Sequence, residues 1–132
     1  MGAFTNTLEA EIVSVFLRKG TRAVGGGDIY VGLFESDPGE AAGGTEASYT
    51  GYARQLATWT ALDGNGQTKN ENALTYPANG NPVNAVTITH LVLFDAASGG
   101  NRMFYAPLTA SKTLSPGDVL SFAINAIVFG LD

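Results

Sequence analysis

Apolar and polar positions along the chain follow two periods: one helical stretch, then a series of short strand-like stretches. Over residues 5–19, Leu8, Ile12, Val15 and Phe16 recur every 3.6 residues, with Glu9, Glu11 and Ser14 off that face. This predicts an amphipathic helix. Asn6 is placed to accept from the first-turn amides, and Glu9, three residues on, to reach back. Glu9 and Glu11 suit the positive end of the helix dipole and Arg18 and Lys19 the negative end, while Gly20 offers a left-handed stop. A helix this short is marginal alone in water, so its stripe must dock on the sheet or on a neighbour.

The strand signals centre on Val86–Leu108. Residues 86–94, VTITHLVLF, are β-branched, apolar or aromatic almost throughout. A turn follows at Asp95–Asn101 with paired glycines, and the chain returns through Met103–Ala106. Neither strand alternates cleanly, which predicts a central hairpin covered on both faces. Upstream, Asp28–Glu35 reads as a strand with Ile29, Val31 and Leu33 on one face and Tyr30 and Phe34 on the other. Gly32 between the two aromatics predicts close approach of a ring or backbone. Residues 36–51 read as a solvated, mobile arm opening on an Asp-Pro-Gly turn.

Tyr52–Leu62 and Asn72–Pro77 read as strands, separated by an Asp63–Gly66 turn. Thr109–Leu114 reads as a further short strand, followed by a Ser115–Asp118 turn. The closing segment, Val119–Leu131, is long for one strand and predicts a bend near Asn125-Ala126. With Gly25-Gly26-Gly27 as a joint, the pattern is one domain, 1–132: a helix at 5–19 and a β-sandwich over 28–132 carrying the arm 36–51. About eight strands with Gly and Pro turns predict an antiparallel β-sandwich, mainly β and jelly-roll-like.

Charge changes this picture in one respect. Charged residues make up only 14% of the 132 residues, where a lone domain carries about 25%, so part of the surface is expected to meet other subunits. Net charge is −5, and no basic residue lies between Arg22 and Arg54 while Asp28, Glu35, Asp37, Glu40 and Glu46 do. No basic stripe exists to displace phosphate counterions, so nucleic acid is not the expected partner. No apolar run approaches the roughly 18 residues of a membrane span, and Met1–Phe16 lacks a signal-peptide pattern. The expectation is a soluble product made in a cytoplasm.

Candidate chemistry is thin. His90 is the only histidine, and residues five apart on a strand, such as His90 and Asp95, point to opposite faces. Ser98, Ser111 and Ser115 lack a nucleophile-elbow setting. With no cysteine, thiolate chemistry is excluded and a transition-metal site is not expected. Asp37, Glu40 and Glu46 lack the alternating spacing of a calcium loop. The reading is a non-enzyme without cofactor. Glu35, Asp37, Glu40, Glu46, Tyr49, Tyr52 and Arg54 are the candidate interface with other subunits.

The segments IYVGLFESDPGE, GGTE, GYAR, ENALTYP, ITHLVLFDAASGGN, MFYAPLTASKTL and GDVLSFAINAIVFGLD occur in series along the chain. In this order they resemble a family of small bacteriophage virion proteins often labelled tail-fibre proteins. A fibre shaft is long and repetitive, whereas this chain has no heptad, collagen-like tract or repeat. Small acidic β-domains in phages similar to this one serve as capsid cement. The resemblance therefore implies a cement or decoration protein, a homotrimer bound to the major capsid protein on the outside of the expanded shell. The alternative it implies is a tail-fibre or tail-tip receptor-binding module, with Tyr49, Tyr52, Trp59 and Tyr76 as candidate glycan contacts.

Overall fold

A computed structural model of the chain describes residues 3–21 and 27–130; Gly25 and Gly26 of the expected joint, Arg22 and Leu131 lie outside them. The fold is mainly β and antiparallel, with one short α-helix near the N-terminus. The main sheet has five strands in the order β1 (Ala3–Phe4), β7 (Arg102–Leu114), β6 (Val86–Phe94), β2 (Ile29–Phe34) and β3 (Gln55–Ala57). Two ribbons form the opposing layer: β4 (Gln67–Lys69) with β9 (Val128–Gly130), and β5 (Leu74–Thr75) with β8 (Ser121–Phe122). The expected sandwich is therefore present, with its second layer split in two.

The split follows from a buried amide. Asn70 is fully buried, and its Nδ2 donates to the carbonyls of Asn72 and Ala123 while its Oδ1 accepts from the Ile127 amide. These bonds satisfy backbone groups where ladder pairing stops. The bend expected near Asn125 lies here: Asn125 takes φ 66°, and the Ala126 amide reaches the Ala123 carbonyl. The closing segment is thus β8, a turn and β9. Between Tyr52 and Leu62 only Gln55–Ala57 forms a strand, because Thr58 and Thr60 bond instead to Glu71 and Lys69 across the next turn. Thr109–Leu114 is not a separate strand; it continues the outgoing strand of the central hairpin, β7.

The sandwich core joins Val31, Leu33, Ile88, Leu91 and Leu93 of the main sheet to Leu74, Tyr76, Leu120, Ile127 and Phe129 of the ribbon side. On the sheet's other face, Phe34, Val92 and Phe94 form a second, smaller cluster with Tyr30 and Tyr105. The two faces of β2 match the alternation in its sequence. In β6 the alternation is interrupted: Ile88 shares the inner face with Leu91 and Leu93. The register accounts for this, passing from Ile88↔Lys112 to His90↔Pro107, so that five steps of β7 oppose two of β6. Leu108–Ser111 therefore swing out of the ladder as a wide bulge.

The N-terminal helix starts one residue earlier than its sequence signal. Thr5, rather than Asn6, caps it, its hydroxyl accepting from the Leu8 amide. That hydroxyl also donates to the Arg102 carbonyl, and the Thr5 amide donates to Met103, which fixes the helix start against β7. The α-helix, α1, covers Asn6–Ile12, and a π-helical turn continues over Val13–Leu17. Lys19, not Gly20, takes the left-handed conformation, with φ 58°. Gly20 serves close approach instead: its amide donates to the Ser14 carbonyl, and a Cβ there would collide with the Ser14 side chain.

Candidate functional site

The loop from Ser36 to Gly51 is built from local bonds. The Gly39 amide donates to Asp37 Oδ1 at 2.9 Å, Gly43 to the Pro38 carbonyl at 2.7 Å, and Thr45 to Ser36 Oγ at 2.9 Å. Pro38, Ala47 and Tyr49 are buried anchors within the segment read as an arm, while residues 40–45 are exposed. Glu46 then bridges to Phe34, and the Ala47 amide bonds to Leu33, so the loop's return limb lies along the edge of β2.

Three of the seven candidate residues meet there. Arg54 holds Glu46 through two parallel bonds, Nε–Oε1 at 2.8 Å and Nη2–Oε2 at 2.9 Å. The Tyr52 hydroxyl donates to the same Oε1 at 2.8 Å and accepts from the Leu33 amide at 3.0 Å. Arg54 Nη1 reaches the carbonyls of Ala96 and Gly99 in the turn of the central hairpin. Its guanidinium also lies 3.3 Å from the Phe94 ring centroid. One side chain thus ties the acidic loop, β6 and the β6–β7 turn together.

On the far side of the Phe34–Phe94 pair, Arg102 lies 4.8 Å from the Phe34 centroid and donates to the Gly43 carbonyl. The outer face of the sheet is therefore closed by two guanidiniums over two phenyl rings.

The electrostatics follow from this packing. Burial raises the Glu46 carboxyl, but hydrogen bonds from Arg54 and Tyr52 and the positive charges of Arg54 and Arg102 outweigh it, holding the group below its ordinary range. Burial, reinforced by the Glu46 carboxylate, pushes the Tyr52 hydroxyl far above its ordinary range. A shallow polar pocket of about 470 Å³ borders this network, walled by Glu46, Ser48, Tyr49 and Ser98.

The remaining candidates are elsewhere. The Glu35 amide bonds to Thr45, and the Glu40 carbonyl accepts from the Asn6 amide, joining loop to helix. Asp37 Oδ1 lies 3.8 Å from His90 Nε2, while His90 Nδ1 is 2.8 Å from the Thr89 hydroxyl. Tyr49 and Tyr76 belong to the core, their hydroxyls donating to Pro77 and Val31 carbonyls. Trp59 packs edge-on against Phe129 at 5.6 Å. Among the described residues no group of three or more His, Asp or Glu is placed to hold a metal, and no helix is long and apolar enough to cross a membrane.

Two surfaces escaped the sequence reading. An apolar groove of about 530 Å³ opens between the β7 bulge and β8–β9, floored by Leu91, Leu108, Phe122, Ile127 and Phe129. The end of the helix carries Val13, Phe16 and Leu17 exposed at 46%, 77% and 77%. The helical period picked out Leu8, Ile12, Val15 and Phe16, of which only Phe16 belongs to this exposed patch; Val13 and Leu17 lie off the expected stripe. No periodicity reveals the groove, because it depends on a bulge.

No curated protein matches the chain. A family model described as "Podophage GP4 fiber I protein gp80" matches residues 3–130, nearly the whole fold with both surfaces. The chain belongs to this family of phage fibre and virion structural proteins.

Proposed function

We propose that the protein is a structural subunit of the phage fibre apparatus, working through protein–protein contacts rather than catalysis. The observation that carries this is the family match over residues 3–130, whose description names a fibre protein. The geometry is compatible with such work. Both faces of the main sheet are covered, the acidic loop is stapled by Arg54 and Arg102, and large apolar side chains such as Phe16, Leu17 and Val83 stay exposed. A compact module without a shaft-forming repeat contributes to a fibre by contact with copies of itself and with adjoining virion proteins.

A capsid-cement role is the second reading, favoured by a net charge of −5 on a compact β-module and by the exposed tip of the acidic loop at Asp37 and Glu40. In that role many copies would clamp the major capsid protein on the outer surface, and avidity would resist internal pressure. Quantitative mass spectrometry of purified virions, with immunogold labelling, separates the two. The fibre reading expects a small fixed copy number with gold at the tail. Hundreds of copies spread over the head would overturn it and establish cement.

A further inference from the structure

We propose that Asn65 is a modification site, where the side-chain amide closes on the Gly66 backbone nitrogen and reopens as aspartate and isoaspartate, while the Asn79-Gly80 pair stays intact. Asparagine is among the chemically labile side chains. Glycine after it leaves the attacking nitrogen without a neighbouring side chain to crowd it. The sequence holds two such pairs, Asn65-Gly66 and Asn79-Gly80. They are equal in local chemistry, and only the fold tells them apart.

Asn65 lies exposed in the turn before β4, and among the described residues its side chain makes no hydrogen bond. A Cβ placed on Gly66 would meet nothing within 4 Å, so a ring closing there has room. The Gly66 amide donates to the carbonyl of exposed Asp63 at 3.2 Å, a long bond that water can replace. Asn79, by contrast, is 1% exposed. Its Nδ2 donates to the carbonyls of Asn84 and Leu114 at 3.1 and 2.9 Å, and its Oδ1 accepts from the Asn81 amide at 2.9 Å. The Gly80 amide donates to the Thr50 carbonyl at 2.9 Å, and a Cβ on Gly80 would stand 2.7 Å from that oxygen. Ring closure at Asn79 would give up the bonds of Nδ2 and of the Gly80 amide in a buried site. Asp63-Gly64 is a related pair, since aspartate forms the same ring. There the Gln67 and Asn65 amides, at 3.0 and 2.8 Å, hold the Asp63 carboxyl below its ordinary range, and an ionised carboxylate resists attack.

Solvent base takes the Gly66 N–H proton, the nitrogen bonds to Asn65 Cγ, and the Cγ–Nδ2 bond breaks with loss of ammonia. Water then opens the cyclic imide. Addition at Cγ gives aspartate in an unaltered backbone. Addition at the Asn65 main-chain carbonyl gives isoaspartate, with the backbone rerouted through Cβ and Cγ. Either product adds one negative charge to a chain carrying −5. The rerouted backbone also displaces Gln67, which begins β4 and pairs with Gly130 of β9, so isoaspartate loosens that ribbon at its loop end. The chemistry is the same for a fibre or a shell subunit.

The purified full chain, held at physiological temperature and mildly alkaline pH in water enriched in the heavy oxygen isotope, is mapped by peptide mass spectrometry. Isoaspartyl methyltransferase labels any isoaspartate. Peptides covering Asn65 should show both products, each carrying a heavy oxygen. They should convert at least about tenfold faster than peptides covering Asn79, since a local opening costing about 1.4 kcal/mol gives that ratio by itself. In urea, with the fold lost, the two sites should react at similar rates. Gly66 has φ 73°, a conformation that asparagine tolerates, so Gly66→Asn keeps the turn but crowds the attacking nitrogen. It should slow conversion of Asn65 at least about tenfold, with an unchanged circular-dichroism spectrum. An intact Asn65, or aspartate without isoaspartate, would overturn the inference. So would equal rates at the two sites in the folded chain, a rate ratio unchanged in urea, or a Gly66→Asn variant that converts as fast as the unaltered chain.

Discussion

Gly32 has no room for a side chain. A Cβ there would stand 2.8 Å from Phe94 Cε2 and 3.1 Å from Glu46 Oε1, and the ring cannot retreat because the Arg54 guanidinium lies against it. Gly32→Ala should therefore cost about 1–3 kcal/mol by overpacking, read as a lower urea midpoint at unchanged m. Arg54→Ala removes the partner of a half-buried carboxylate and should cost about 3 kcal/mol, with Arg54→Lys recovering little because the two-pronged geometry is lost. The close approach at Gly32 was legible, since a glycine flanked by aromatics in a strand has few other uses. Glu46, Tyr52 and Arg54 were legible as candidates but not as an internal staple. Spacing along the chain does not tell an outward charge from one folded onto Phe94. Asn70 was not legible at all: among Lys69, Glu71 and Asn72 it reads as a turn residue, and only the far-off partners Ala123 and Ile127 explain its burial.

Among the elements, the helix shows most clearly what a periodic pattern contains. Its approximate span and the first-turn Glu9 were legible in residues 5–19, but Arg18 and Lys19 fall past its last residue, Leu17, and its cap depends on a tertiary contact. Thr5 is 2% exposed and uses its hydroxyl twice, toward Leu8 and Arg102. Thr5→Ala should destabilise by about 1–2 kcal/mol, and Thr5→Ser should restore most of that, as followed by chemical denaturation. Asn6→Ala should have little effect, since the Asn6 backbone rather than its side chain makes the contact with Glu40. The strands tell a similar story. β2 and β6 were legible because both faces of each are apolar. β4 was missed, since Gln67-Thr68-Lys69 carries no hydrophobic signal and owes its strand form to pairing with β9.

The molecule as a whole should respond to pH through the Glu46–Tyr52 pair. Glu46 is depressed in the folded chain, so its contribution is present above its ordinary value of 4.5 and is lost as pH falls through the folded value. Tyr52 is raised, so its contribution is present below its ordinary value of 10.0 and declines as pH rises beyond it. Thermal melts should show stability falling at both limits. Glu46→Gln should narrow the gap to the unaltered chain as pH drops below 4.5, and Tyr52→Phe should flatten the alkaline limb. Curves parallel to the unaltered chain at both limits would remove this pair as the source. The sandwich class was legible from the succession of Gly- and Pro-bounded strands. The division of its second layer was not, because it rests on one buried amide and a left-handed asparagine.

The anchorage of Thr5 on Arg102 joins residues 97 apart in the chain, and this has a consequence for synthesis. A ribosome adding about 5–20 residues per second makes the first strand roughly 5–20 s before it makes the strand that receives it. During that interval β1 has no edge to join and the helix has no footing, so Val13, Phe16 and Leu17 travel on a nascent chain with nothing to hold them. The β6–β7 hairpin, local in sequence, can form as soon as it emerges, whereas β4 and β5 must wait for β9 and β8 near the end. Such non-local closure is slow for a domain of this size. In an infected cell making many copies at once, the unmet helix of one nascent chain is the surface most exposed to the wrong neighbour, and the one a chaperone would meet first.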